Sequence, residues 1–158
     1  MEIIPLTQTH RGEVNDFVRD EWGGPMIVSR GNLFDSSALP GFVAVEENEL
    51  LGVVLYRMEG SDCEIALLHA LAQNRGVGTA LIRQVISIAE AHACRRVWLI
   101  TTNDNTQAIR FYQKFGFALK AVHINSMAAS RQLKPCIPEL GEDGIPIAHE
   151  FEFELAIG

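Results

Sequence analysis

The stretch Gln73-Asn74-Arg75-Gly76-Val77-Gly78-Thr79-Ala80-Leu81-Ile82 places two glycines one residue apart in front of an apolar helical pattern. Glycines there permit backbone angles closed to other residues and let a ligand approach the main chain. The amides that open the following helix have no partner inside it, so they point at whatever lies in front, and an anion is their usual guest. Downstream, Val77, Leu81, Val85 and Ile88, with Ile82, Ile86 and Ala89, trace a wide apolar helix face.

Working outward, the upstream sequence predicts three strands, Gly41 to Glu46, Leu50 to Met58 and Asp62 to His69. The turns between them, Glu47-Asn48-Glu49 and Glu59-Gly60-Ser61, are short enough to require antiparallel hairpins. Thr9 to Glu21 reads as a first helix, capped by Thr7 or Thr9, with Val14, Phe17 and Val18 on one face and Gly23-Gly24-Pro25 ending it. Met26 to Pro40 is rich in turn formers and reads as a long irregular connection. Downstream, Arg95 to Thr101 reads as a central strand and Asp104 to Phe115 as a helix stopped by Gly116. Ala118 to Ile124 and Ala148 to Ile157 read as late strands, the second alternating Phe151, Phe153 and Leu155 with Glu150, Glu152 and Glu154. Asn125 to Pro146 lies between them, with a helical turn at Ser126 to Leu133. Helix, three strands, helix, strand, helix, strands is a mixed α/β order on one sheet, unlike the alternation of a doubly wound fold.

Composition narrows the function. The 158 residues, 47% of them hydrophobic, suit a single domain, residues 1–158. No apolar run reaches membrane-spanning length, and the start Met-Glu-Ile-Ile-Pro lacks the design of a secretion signal. Cys63, Cys94 and Cys136 are widely spaced, which predicts reduced thiols in a cytoplasmic protein and no metal site. A net charge of −7 argues against a nucleic-acid surface and favours a cationic or neutral substrate. An anionic cofactor then needs a local device, which a helix N-terminus supplies.

Three phosphate-binding patterns compete for the glycine loop. A P-loop requires a Lys-Ser or Lys-Thr pair after the glycines, and there is none. A dinucleotide fingerprint requires Gly or Ala where Leu81 stands, and an acidic end to a strand that here closes on Thr101-Thr102. The Gln/Arg-x-x-Gly-x-Gly/Ala pattern is met by Gln73, Gly76 and Gly78. A second motif follows, Asn105-x-x-Ala108-x-x-x-Tyr112-x-x-x-Gly116-Phe117. Asn105, Ala108, Ile109 and Tyr112 form one helical stripe, with Asn105 and Tyr112 roughly 10 Å apart along the axis, a fit for an elongated ligand.

Together the two motifs resemble the GNAT superfamily of acetyl-coenzyme A-dependent N-acetyltransferases, closely over Phe42 to Phe117 and loosely over the first helix. The resemblance implies a GNAT-like fold: a single mixed, mostly antiparallel sheet of six to seven strands, helices on both faces and a splayed central strand pair. It implies transfer of an acetyl group from acetyl-CoA to a primary amine by direct attack. A coenzyme A-binding sensor without catalysis is the alternative. Asn105 and Ala108 would line the cofactor, and Tyr112 would act as general acid to the leaving thiolate. Backbone amides of Gln73, Asn74, Arg75, Gly76, Val77, Gly78 and Thr79 would meet the pyrophosphate. The pantetheine arm would lie along Leu67, Leu68 and His69, with the Leu68 amide near the oxyanion. Ala70 departs from the family, which often has proline there.

An amine with a lysine-like pKa arrives protonated, so a base is needed. Glu64 is the candidate, predicted to share a strand face with Ala66 and Leu68; a solvated strand glutamate looks the same in a sequence. His69 is the second candidate. The resemblance puts the acceptor between Trp22 to Arg30 and Ser126 to Lys134; Arg30, Asp35 and Arg131 could read its charge, although surface residues look the same in a sequence. Homodimerisation through the late strands is common in that family, and the sequence leaves it open.

Overall fold

The structure, a computed structural model, describes residues 1–71 and 75–158. The chain opens with strand β1 (Glu2–Pro5) and helix α1 (Gln8–Trp22), which ends on Gly23 in the left-handed region at φ 75°. Then come β2 (Met26–Ser29), β3 (Asn32–Asp35) and a 3₁₀ turn (Ser36–Ala38). The hairpin strands follow, β4 (Gly41–Glu46), β5 (Glu49–Glu59) and β6 (Asp62–Ala70), before α2 (Val77–Ala91). The rest is β7 (Arg96–Thr102), α3 (Thr106–Phe115), β8 (Ala118–His123), α4 (Met127–Leu133), a second 3₁₀ turn (Glu142–Gly144) and β9 (Glu150–Ala156). Seven strands form one mostly antiparallel sheet in the order β1-β4-β5-β6-β7-β9-β8, and β2-β3 is a separate ribbon. This is the mixed architecture the motifs implied.

Two expectations change. Met26 to Pro40 is a β-hairpin and a 3₁₀ turn instead of an irregular connection. Its turn residues Arg30 and Gly31 both take positive φ, 48° and 76°, the geometry of a tight two-residue hairpin turn. The edge strand β1, which no sequence signal marked, pairs antiparallel with β4 and places Pro5 at its end, where a missing amide costs least.

The chain divides into two compact units. The first comprises Met1–Pro25, Asp35–Val97 and Ala156–Gly158. Its core is Val43, Val53, Val54 and Leu55 from the hairpin strands, with Val14 and Val18 of α1 and Leu81, Ile82 and Val85 of α2. Gly52 marks the face that meets α2: a Cβ there would lie 2.6 Å from Val77 Cγ1, so only glycine lets the first turn of α2 settle so close. α1 meets the opposite face, where Phe17 lies 4.4 Å from the His69 ring, centroid to centroid.

The second unit comprises Met26–Phe34 and Trp98–Leu155. β8 and β9 pair antiparallel in it. Phe153 is buried with Tyr112 against it, and Phe117 lies on Tyr112 in turn.

Candidate active-site residues

In the first unit, Gly76 caps α2 in the left-handed region at φ 71°, with open space where a Cβ would be. Among the described residues no side chain caps this helix, and no acidic residue sits in its first turn. The first bond of the helix runs from the Ala80 amide to the Gly76 carbonyl. The amides of Val77, Gly78 and Thr79 therefore lack partners within the helix and are suited to meet an anion, with no acidic residue in the first turn. Arg75 is held by Glu46, Nη2 to Oε2 at 2.6 Å, an exposed pair that keeps the Glu46 carboxyl below its ordinary range. Gln73 and Asn74 lie outside the described residues.

A β-bulge decides where the β6 side chains point. β5 and β6 pair Leu55 with Leu67 and Tyr56 with Ile65, so Ala66 is an extra residue on β6. That residue breaks the alternation. Glu64 stands opposite Arg57, and along β5 Arg57 shares a face with Leu55 and Val53, whose partners are Leu67 and His69. Glu64 is thus on the face of Leu67 and His69, not on that of Leu68 as unbroken alternation predicts.

The Glu64 side chain is 2% exposed and accepts a hydrogen bond from Arg57 Nη2 at 3.1 Å. It is no solvated strand residue. Arg57 also reaches Glu59 at 2.6 Å. His69 lies against Phe17 and Trp22, its ring centroids 4.4 and 6.0 Å from theirs. Burial lowers its pKa, against the opposing charge of Glu21, so the imidazole is neutral at physiological pH.

In the second unit, Asn105 caps α3, its Oδ1 accepting from the Ala108 amide at 3.3 Å. Tyr112, 7% exposed, has Phe111, Phe117 and Phe153 around it at 5.3 to 6.4 Å. Burial drives its phenol pKa far above the ordinary value, so the group keeps its proton. A phenol that holds its proton this firmly acts as an O–H donor to a nascent thiolate more readily than it gives the proton away.

The three charged residues from the acceptor region separate cleanly. Asp35 accepts from the Ser37 amide and hydroxyl at 3.0 and 2.7 Å and serves the 3₁₀ turn. Arg131 donates to the carbonyls of Pro138 and Ile147 and holds the loop before β9. Arg30 instead lies over Trp98, 5.9 Å from the ring centroid, and 3.6 Å from Glu152. Glu152 also bonds His123 Nε2 at 3.1 Å. Sequence reasoning missed this cluster because its members come from the β2-β3 turn, β7, β8 and β9. A second feature it missed is a clamp: Asn103 Oδ1 accepts from the Ala148 and His149 amides, and Asp104 accepts from Thr102 Oγ1 and the Glu142 amide. The adjacent Asn-Asp pair was its only signal.

Residues 10–117 match the acetyltransferase (GNAT) family, and the chain belongs to that family as an acyltransferase. It is 42% identical over 158 residues to the uncharacterized protein YdhI of Bacillus subtilis, covering 99% of both chains. A segment of 46 residues, 28% of this chain and 30% of the other, is 39% identical to the B. subtilis spermine/spermidine N(1)-acetyltransferase. Among solved structures, a GNAT family acetyltransferase from Elizabethkingia anophelis with acetyl-CoA bound superposes with a TM-score of 0.71 at 20% identity, over 99% of this chain and 97% of that one. Among the described residues no helix is long and apolar enough to cross a membrane.

Proposed function

We propose that the 158 residues work as one acetyltransferase domain that moves an acetyl group from acetyl-CoA to a primary amine. The observation that carries this reading is the opening of α2: amides that no side chain caps among the described residues, behind a left-handed Gly76, with no carboxylate in the first turn. These residues fit the diphosphate of coenzyme A. Bound there, acetyl-CoA supplies the activated acyl group.

The chain's own residues would do the following. The amides of Val77, Gly78 and Thr79 hold the diphosphate, aided by the helix dipole. Leu67, Leu68 and His69 follow the bulge and offer backbone to the pantetheine arm. Asn105, its oxygen spent on capping α3, keeps its amide N–H₂ for the cofactor, with Ala108 leaving room beside it. Glu64 or the neutral His69, now on one strand face, takes the proton from the incoming amine. The neutral amine nitrogen bonds to the carbonyl carbon, the carbon–sulfur bond breaks, the sulfur leaves as a thiolate that takes a hydrogen bond from the Tyr112 phenol, and the second proton on the new amide nitrogen is released to water.

The test is release of free thiol with a panel of amines. Tyr112→Phe should lower kcat roughly 100-fold, with the acetyl-CoA dissociation constant within about three-fold of wild type, because the hydroxyl acts in the transition state. An unchanged kcat removes Tyr112 from the mechanism. Saturable acetyl-CoA binding without turnover on any amine makes the protein a coenzyme A-binding module instead.

A further inference from the structure

In the second unit, the two residues immediately before Asn105 spend their side chains on a segment far along the chain. Asn103 Oδ1 accepts from the Ala148 and His149 amides at 3.0 and 2.9 Å, and its Nδ2 donates to the Pro146 carbonyl at 2.9 Å. Both ends of that side-chain amide are thus committed to one partner segment. The Asn103 backbone amide joins in, donating to the His149 carbonyl at 3.1 Å. Asp104 is buried, accepting from Thr102 Oγ1 at 2.6 Å and, through its other oxygen, from the Glu142 amide at 3.2 Å. Gly141 completes the fit: a Cβ there would overlap the Asp104 carboxylate, so a larger residue would force the two apart.

The segment held this way, residues 139–149, has bonds of its own that let it move as a body. The Ile147 amide donates to the Glu139 carbonyl and the Gly141 amide to the Ile145 carbonyl, both at 2.9 Å, and Leu140 bridges to Pro146. Its far side is tied to the start of α4, where the Asn125 amide donates to His149 Nδ1 at 2.8 Å and the Met127 amide to the Ala148 carbonyl at 3.3 Å. On the near side the clamp runs straight into α3. The Asp104 carbonyl accepts from the Thr106 amide at 2.9 Å, and Asn105 follows with its Oδ1 on the Ala108 amide. No residue intervenes between the side chains that grip the segment and the asparagine that would meet the cofactor. A displacement of Asn105 therefore pulls on Asn103 and Asp104, and buried polar groups engaged like these resist losing their partners.

We propose that Asn103 and Asp104 are positioning residues that couple Asn105 to the segment 139–149. Coenzyme A on Asn105 steadies the segment, and the segment held in place presents Asn105 to coenzyme A. Linkage makes the two effects equal in size. The coupling rests on the transferase reading, in which coenzyme A meets Asn105.

Amide hydrogen exchange, followed residue by residue on the full chain with and without coenzyme A, is the test. In the wild type, saturating coenzyme A should slow exchange at Glu142, Ala148 and His149 about ten-fold, together with Ala108 on α3. Asn103→Ala should lose the response at Ala148 and His149 while Ala108 keeps its own. Its calorimetric Kd for coenzyme A should rise by a like factor, which a purely local role in the segment would not cause. Asn103→Asp keeps an oxygen for both amides and should keep the response. Circular dichroism and urea denaturation confirm that each variant is folded. Equal slowing at Ala148 and His149 in wild type and Asn103→Ala overturns the proposal. So does a wild type that binds coenzyme A with no response at the three segment amides, an outcome that needs no variant and leaves the transferase reading standing. If coenzyme A does not bind at all, the transferase reading falls and the coupling falls with it.

Discussion

Replacing Arg57 with methionine tests whether the Glu64 carboxylate depends on its cross-strand partner. Methionine keeps most of the aliphatic stem and removes only the guanidinium. At 3.1 Å and an effective dielectric near 20, the pair attracts by about 5 kcal/mol. Glu64 has already paid the desolvation cost, so losing a partner from a fully buried pair costs about 3–5 kcal/mol. Arg57 is 23% exposed and shares its charge with Glu59, so water screens part of the attraction. About 2–3 kcal/mol is therefore expected, read by urea denaturation as a lower midpoint at unchanged slope. For a chain of this length that corresponds to a fall in Tm of about 4–12 °C. The cycle with Glu64→Gln supplies the control. If the two side chains interact as described, the double variant should be about 2 kcal/mol more stable than the sum of the single losses predicts. Additive losses, or an Arg57→Met variant within about 0.5 kcal/mol of wild type, would refute the reasoning. The same pair of variants bears on catalysis: if Glu64 is the base, Glu64→Gln lowers kcat well beyond Arg57→Met.

Two further outcomes follow from buried groups in the first unit. Burial, then the neighbouring Cys94 and Glu64 charges, pushes the Cys63 thiol from 9.0 up to about 12. A raised pKa means the folded state keeps a proton that the unfolded chain gives up, so this contribution is whole below pH 9 and lost as pH rises to 12. That window is worth on the order of 4 kcal/mol; urea midpoints measured up to pH 11 should fall steeply in wild type and less steeply in Cys63→Ala, and parallel curves would refute it. Gly52→Ala puts a methyl 2.6 Å from Val77 Cγ1 and 2.9 Å from the His69 carbonyl. It should cost about 1–3 kcal/mol and weaken coenzyme A binding by displacing the first turn of α2. Adding Val77→Ala should restore part of both losses, and a cost unchanged by that second substitution would argue against the contact.

Local signals carried far in some places and failed in others for identifiable reasons. The β4-β5-β6 hairpins were legible because their turns are short and contain Asn48 and Gly60, which tolerate the positive φ of 66° and 60° they adopt. Gly76 and Gly116 marked the start of α2 and the end of α3 in the same way. The β2-β3 hairpin was missed because its turn is Arg30-Gly31, and arginine at φ 48° is held there by the surrounding structure, not by its own preference. The face of Glu64 was misread because a bulge leaves no mark in the sequence: Ala66 fits a regular strand as well as an extra residue. On β9 the alternation of phenylalanine and glutamate revealed two faces, but not that Glu150 and Glu152 would both be buried. Burial of the polar face depends on Arg30, Trp98 and His123, which arrive from elsewhere in the chain.

Net charge and local charge answer different questions in this protein. A surplus of seven negative charges repels an anion at long range, but at physiological ionic strength that repulsion fades over about 8 Å. At the opening of α2 what counts is a handful of backbone donors with no carboxylate in the first turn, and the Glu46 that pairs with the neighbouring Arg75 is paired with the N-terminal amine as well. Grip on a diphosphate therefore needs no basic patch.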